Sequence, residues 1–158
     1  MALTFTGTSE HGLDDKGRLT LPSRILDQVA KADWRFYLTV SMDECLLLHD
    51  AQGWNELVAK IGTGVHGSQA HRNLSRRFLG SAEEVVPDTA RRIRIPDPLL
   101  EYAGIQSSGP VRLLGMGNVL EIWSPAKLGK VLTKPTTEEE QLFSSLIDPR
   151  TSSTPAGV

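Results

Sequence analysis

Short segments in which apolar and polar residues alternate, separated by turn-forming residues, recur along this chain. Residues 18–21 and 93–95 alternate with the period of two that is typical of a half-buried strand. Residues 36–40 are rich in β-branched and aromatic side chains, and residues 45–49 form a nearly continuous apolar run. We expect both to be strands, the second of them buried on both faces.

Between the predicted strands, apolar residues return at the spacing of helices. Ile25, Leu26 and Val29 predict a short helix over residues 23–31. The other helix boundaries are predicted from capping residues, which are Asp50, Ser68 and Ser124 at the starts and Gly62, Gly80 and Gly104 at the ends.

A ten-residue motif, residues 13–22, occurs a second time in altered form further along the chain. Asp14 and Arg18 in the first copy correspond to Asp88 and Arg92 in the second, and each pair is 74 positions apart. Matching segments lie in the same order on both sides of the motif. The chain therefore consists of one β-β-α-β-β-α unit, duplicated and fused.

Each motif contains a turn followed by a strand. Asp14 can accept hydrogen bonds from its own turn, and Gly17 permits a positive φ. We expect the strands on either side of this turn to pair as a hairpin with a basic tip. Asp14 and Arg18 could simply hold the turn together, or Lys16 and Arg18 could contact phosphates and guanine edges. The two roles are compatible, and the residues favour neither.

Charge along the chain is uneven. The net charge is −2, but residues 135–158 contain four acidic residues and one Arg, so that the rest of the chain carries +1. A nucleic-acid site would have to be a local patch repeated over several subunits. The basic residues form two clusters, which are Arg72, Arg76 and Arg77, and Arg91, Arg92 and Arg94. The first cluster lies on a predicted helix, where a solvated surface and phosphate contact are about equally good roles.

Nothing in the sequence indicates catalytic chemistry. None of the four histidines has metal-ligand spacing with another His or Cys, and no phosphate-binding Gly-rich loop follows a strand. We expect a protein that is not an enzyme and that needs no cofactor or metal. The single Cys45 is expected to be buried, and no signal peptide or apolar run long enough for a membrane span is present. These features suggest a cytoplasmic protein.

The paired motifs resemble those of the MraZ family, which is built from two SpoVT/AbrB-like units. The resemblance lies in residues 5–7, 13–24, 79–80, 88–92 and 120–123. It implies an α+β fold with a swapped-hairpin, AbrB-like β-barrel and ring-shaped homo-oligomers. It also implies a nucleoid-associated transcriptional regulator that binds short direct repeats of double-stranded DNA upstream of its own division and cell-wall gene cluster. Activation and repression both remain open.

Carried over to this chain, the resemblance places Asp14, Arg18, Asp88 and Arg92 in the two motifs. Arg91 departs from the pattern because the family commonly has Gly at that position, where a left-handed backbone disfavours other residues. The expected DNA-binding residues are Lys16, Arg18, Arg91, Arg92 and Arg94, and the expected structural residues of the motifs are Asp14, Gly17 and Asp88.

The C-terminal part of the chain suggests a competing function. Residues 137–140 predict a capping box, and Leu142, Phe143, Leu146 and Ile147 predict an amphipathic helix. Such a helix could bind a protein partner, as in an antitoxin-like interaction module. The predicted layout is domain 1 at 8–53, a helical linker at 54–81, domain 2 at 82–127, a helical segment at 128–148 and a disordered tail at 149–158.

Overall fold

In a computed structural model, residues 4–62 and 65–148 are described, so the predicted tail at 149–158 lies outside the described residues. The strands are β1 Thr8–Gly12, β2 Arg18–Thr20, β3 Phe36–Val40, β4 Leu46–Asp50, β5 Glu83–Val85, β6 Arg92–Arg94, β7 Pro110–Gly115 and β8 Leu120–Trp123. The helices are α1 Ser23–Leu26, α2 Ala51–Ile61, α3 Gln69–Phe78, α4 Asp97–Ala103, α5 Pro125–Val131 and α6 Thr137–Ile147.

The predicted β-β-α-β-β-α order of each repeat is confirmed. Strands β1 to β4 with α1 and α2 form the first repeat, and β5 to β8 with α4 and α5 form the second. Helix α3 connects them. The N-caps Asp50 and Ser68 are also confirmed, since their side chains accept hydrogen bonds from Gly53 N at 2.9 Å and from His71 N at 3.1 Å.

The two repeats exchange strands. One antiparallel sheet has the order β1-β7-β8-β4-β3-β5, so that β1 pairs with a strand of the second repeat and β5 with a strand of the first. A separate two-stranded ribbon joins β2 to β6. The α+β class and the exchange between repeats are confirmed. Among the described residues, the strands form this sheet and ribbon rather than one closed barrel.

The expected hairpin of β1 with β2 is wrong. Around the first turn, only the isolated bridge Leu13–Leu19 joins the two flanking segments. The turn itself is closed by a hydrogen bond from Asp14 N to Arg18 O at 3.0 Å. Beyond it, β1 pairs with β7 and β2 with β6, so that each strand pairs with a strand of the other repeat.

The helix expected over residues 23–31 is shorter than predicted. Helix α1 ends at Leu26, and a 3₁₀ turn at Lys31–Asp33 follows after a gap. The indole N–H of Trp34 donates to the carbonyls of Leu26 at 3.3 Å and Val29 at 3.1 Å. It thereby satisfies carbonyls that a longer helix would have used.

The larger of two apolar clusters supports the ribbon from beneath. Leu19 of β2 and Ile93 of β6 are fully buried, and so are Ile25 of α1 and Leu38 of β3. Burying a Leu or Ile side chain stabilises a fold by about 1.5–3 kcal/mol. The ribbon is therefore fixed on a rigid base, and its polar face points to solvent.

Contacts divide the chain into a compact unit that ends at Leu128 and a second that begins at Gly129. In the second unit, α6 begins with a capping box in which Thr136 Oγ1 accepts from Glu139 N at 3.2 Å. The predicted box at 137–140 is therefore displaced by one residue. Helix α6 exposes four large apolar side chains: Leu142, Phe143, Leu146 and Ile147. None of the described helices is both long and apolar enough to cross a bilayer.

Candidate nucleic-acid interface

In the first motif, the carboxylate of Asp14 organises the turn. Its Oδ1 accepts hydrogen bonds from the backbone N–H of Lys16 at 3.0 Å and of Arg18 at 2.8 Å. Its Oδ2 accepts a charge-assisted hydrogen bond from Arg18 Nε at 2.6 Å. One carboxylate thus holds both the backbone of the turn and the direction of the Arg18 side chain.

The second motif repeats this geometry. Asp88 Oδ1 accepts from the backbone N–H groups of Ala90 and Arg92, both at 2.9 Å. Asp88 Oδ2 accepts from Arg92 Nε at 2.9 Å, and Arg92 Nη2 also lies 2.9 Å from that oxygen. The proposed structural role of the two aspartates is consistent with these contacts.

Both motif aspartates have pKa values below the ordinary value. For Asp14, desolvation acts to raise the pKa, but hydrogen bonds from Arg18 and Lys16 outweigh it. For Asp88, the backbone hydrogen bond from Arg92 is the largest cause of the lowered pKa, and desolvation opposes it. Both carboxylates are therefore ionised at neutral pH, as the clamps require.

The ribbon places the two motifs side by side. Arg18 lies directly opposite Arg94, and Thr20 lies directly opposite Arg92. Backbone hydrogen bonds extend the pairing at both ends, from Leu21 N to Arg91 O at 2.9 Å and from Ile95 N to Gly17 O at 3.0 Å. The two repeats are thus related by an approximate two-fold axis through the centre of the ribbon.

Arg91 takes the same backbone conformation as Gly17, its counterpart in the first motif. Gly17 has φ 70° and Arg91 has φ 62°, so that both lie in the left-handed region. The second turn therefore keeps the shape of the first in spite of the substitution. The Arg91 guanidinium donates from Nη1 to Ser23 Oγ at 2.5 Å, a contact that offsets part of the strain.

The structure brings the five predicted DNA-binding residues together at the ribbon and its turns. Lys16 and Arg94 are exposed, and in the described chain no ion pair or hydrogen bond engages either side-chain cation. Arg18 and Arg92 are about one-third exposed or less, with side-chain exposures of 27% and 33%. Arg91 contacts Ser23.

Sequence reasoning did not predict the partner of Thr20 or the contacts of Arg24. Thr20 stands on the same ribbon face as the arginines, and only the strand register shows what it opposes. Arg24, on α1, donates to Thr6 O at 2.7 Å and to Ser9 Oγ at 3.3 Å. The alternation of residues 18–21 does place Thr20 on the outer face, but no local signal predicts its partner or the contacts of Arg24.

The basic helix α3 is a separate surface. Arg72 donates to Gly67 O and Gln69 Oε1, each at 2.7 Å, and Arg76 donates to Asn73 Oδ1 at 3.1 Å. These are contacts within the helix and its N-terminal approach. They are typical of a solvated helix surface.

In the described part of the chain, no three or more His, Cys, Asp or Glu residues are grouped so that they could hold a metal ion. Cys45 is buried, as predicted, and desolvation raises the pKa of its thiol to about 12. Such a thiol is unreactive at neutral pH.

The structure contains two repeats that exchange strands, and in each repeat an Asp side chain holds an Arg side chain. This defines an α+β protein that is built by duplication around a two-stranded β-ribbon. A family model described as "MraZ protein, putative antitoxin-like" matches residues 4–75 and 78–144. Relatives named "Transcriptional regulator MraZ" include one from Treponema pallidum, 36% identical over 78% of this chain and 80% of its own length. Those from Nitrosomonas europaea and Moorella thermoacetica are 31% and 30% identical, over 86% and 91% of this chain and 91% and 97% of their own lengths. The chain belongs to the MraZ family.

Proposed function

We propose that this protein is a transcriptional regulator that binds double-stranded DNA through the β2–β6 ribbon and its two turns. The observation that carries the proposal is the outer face of the ribbon, where Arg18, Arg92 and Arg94 stand together above a buried apolar base. Relatives over most of the chain are named transcriptional regulators.

The geometry suits DNA for a physical reason. A two-stranded ribbon fits the major groove, and arginine binds phosphates and guanine edges through two parallel hydrogen bonds. Asp14 engages the Nε of Arg18, while in the described chain the two Nη groups of Arg18 have no partner. The side chain is held in one direction, and its end remains available to a ligand.

The same proposal includes several copies of the chain acting together. A site with so little net charge would bind weakly, but linked sites raise the effective concentration for each further contact. A ring of identical subunits would therefore suit short direct repeats upstream of the protein's own gene cluster. The exposed apolar face of α6 supports assembly, because a row of large exposed apolar side chains is typical of protein contacts.

The first test is a titration of the purified protein against DNA from directly upstream of its own gene, with a scrambled duplex as control. We expect tighter binding to the upstream DNA and an affinity that falls steeply with salt. Each phosphate contact adds about 0.9 to the slope of log affinity against log salt. Equal binding to both duplexes would contradict sequence-specific regulation.

A pair of variants locates the interface. Arg18→Ala should weaken binding to the upstream duplex strongly, because the variant loses a clamped guanidinium on the ribbon. Arg76→Ala is the matched control, since this exposed arginine lies on α3 and contacts Asn73. Equal losses in the two folded variants would contradict the assignment of the ribbon.

An antitoxin-like interaction module is the second candidate, and the exposed apolar residues of α6 favour it. In that case a protein partner would cover α6, and neither duplex would be bound by the folded protein. We propose no catalytic activity and no cofactor for either role, and we place the regulator in the cytoplasm at the nucleoid.

A further inference from the structure

The two-fold symmetry of the ribbon is broken at one outward-facing position. Thr20 and Arg94 are counterparts in the two repeats, 74 positions apart. As a result, one end of the ribbon face carries the opposed pair Arg18 and Arg94, while the other end carries Thr20 opposite Arg92.

The two ends also differ in how their arginines are neutralised. Arg92 lies near two carboxylates, with Nη2 at 2.9 Å from Asp88 Oδ2 and Nη1 at 3.9 Å from Asp14 Oδ2. At the other end, Arg18 engages Asp14 through Nε at 2.6 Å, and Arg94 forms no ion pair with any described residue. Among the outward-facing residues of the two strands, the less neutralised positive charge therefore lies at the Arg18–Arg94 end.

A pair of like charges directly opposite each other destabilises an antiparallel ribbon. Directly opposed residues have Cα atoms only about 4.5–5.5 Å apart, and their side chains leave the same face. Arg94 borders an open depression that Glu83 and Glu84 also line, but Glu84 is engaged by Arg35 at 3.4 Å. The unbalanced pair is an arrangement that an external anion would stabilise.

We propose that Arg18 and Arg94 together bind one backbone phosphate of DNA, and that the absence of this site at the Thr20 end makes each ribbon bind its repeat in one orientation. This inference rests on the proposed function, since it requires that the ribbon contacts DNA. A symmetric ribbon would accept a site and its inverse equally. The single phosphate contact gives the ribbon a direction, and it suits repeats that all point the same way.

The test is a phosphate-neutralisation scan on a duplex that holds one upstream repeat. Each backbone phosphate is replaced in turn by an uncharged methylphosphonate, and affinity is measured for the full chain. With the unaltered protein, we expect one strongly sensitive phosphate on one side of the repeat centre that has no equivalent on the other side.

Two reciprocal substitutions then move that contact. Arg94→Thr copies the Thr20 end and should remove the sensitivity at that phosphate. The slope of log affinity against log salt should become less steep by about one. Thr20→Arg copies the other end and should add a second sensitive phosphate at the symmetry-related position. The slope of log affinity against log salt should become steeper by about one. Arg76→Thr on α3 should leave the scan unchanged.

The outcomes separate this inference from the proposed function. If the folded protein binds neither the upstream nor the scrambled duplex, the proposed function fails and this inference with it. If DNA is bound but the scan of Arg94→Thr equals that of the unaltered protein, only this inference is overturned. A symmetric scan of the unaltered protein would also overturn it.

A melting experiment without DNA gives an independent check. Removing one of two opposed like charges should leave the melting temperature of Arg94→Thr equal or higher. A clearly lower melting temperature would show that Arg94 stabilises the fold through neighbours such as Glu83, and would overturn its assignment as a ligand-binding residue.

Discussion

At the scale of single residues, the two motif turns differ in how easily each adopts its backbone conformation. Gly17 and Arg91 both have a left-handed φ, which costs a residue other than Gly about 1 kcal/mol. A Cβ on residue 17 would also lie 3.3 Å from Leu100 Cδ1 and 3.4 Å from the Ile95 carbonyl oxygen. The first turn therefore needs glycine for two reasons, and the second tolerates arginine at a cost.

This difference predicts opposite effects of two substitutions. Gly17→Ala should lower the free energy of unfolding by about 1–2 kcal/mol, from strain and the close contacts. Arg91→Gly should raise it by up to about 1 kcal/mol, less what the Ser23 contact contributes. Urea denaturation of both variants measures the two values. A stabilised Gly17→Ala protein would contradict the role of the left-handed turn.

Burial of His49 makes the stability of the fold depend on pH. It is 6% exposed, and its ring lies 6.2 Å from that of Trp54. Neither ring nitrogen has a hydrogen-bond partner among the described residues. Desolvation lowers the pKa of His49, with Asp50 opposing the shift. The folded state therefore binds a proton less readily than the unfolded state, and stability is lost as the pH falls below the unfolded value of about 6.5.

The prediction for His49→Leu follows from that sign. Between pH 7 and pH 5, the free energy of unfolding should fall less steeply for His49→Leu than for the unaltered protein. His66→Leu, at an exposed position, is the control and should keep the original slope. Some slope will remain in His49→Leu, because desolvation and Arg24 also lower the pKa of His11. Parallel pH curves for all three proteins would contradict the prediction.

At the scale of elements, the ribbon combines a buried face with a functional face in strands of three residues. Ile93 is fully buried and Arg94, the next residue, is exposed. The alternation could be predicted from the sequence, because the period of a strand is two. The partner of each strand could not be predicted, since local pattern is the same whichever apolar strand lies beside it.

Shortening a side chain on the buried face of β6 should therefore lower the free energy of unfolding, whereas shortening one on the exposed face should not. Ile93→Ala should lower the free energy of unfolding by about 2–4 kcal/mol, because it removes a fully buried side chain. Arg94→Ala is the adjacent control and should change stability by less than about 0.5 kcal/mol. Chemical denaturation compares the two. Similar losses would mean that both faces of β6 are packed, contrary to the observed burial.

At the scale of the whole molecule, α6 exposes a row of large apolar side chains that no other described element covers. Leu142 and Leu146 are 57% and 74% exposed and lie one turn apart on the helix. Burial of such a face between copies is the simplest origin of an assembly. The double variant Leu142→Ser and Leu146→Ser should therefore have a lower mass in solution than the unaltered protein, as measured by light scattering.

The control for assembly is Gln141→Ala, a change at an exposed polar position of the same helix. It should leave the mass unchanged. DNA affinity should fall together with mass in the double variant, because fewer linked ribbons remain. An unchanged mass in the double variant would place the contact between copies elsewhere.

The sequence alone determined the duplication, the order of the elements, the N-caps Asp50 and Ser68 and the residues of the two motifs. Each of these depends on local chemistry: the spacing of Asp14 and Arg18, the need for a left-handed turn before the arginine, and the period of apolar positions. The resemblance to the MraZ family lay in the same residues. The departure at Arg91 was visible too, although its accommodation by Ser23 was not.

Only the tertiary structure decided which strands became neighbours. Periodicity shows which face of a strand is buried, but a strand's partner is chosen by the apolar surface that the whole chain can bury. The exchange between repeats replaced the expected hairpin of β1 and β2 with the β2–β6 ribbon. It is this pairing, made between residues 72 to 76 positions apart, that sets Arg18 opposite Arg94 and leaves Thr20 at the other end.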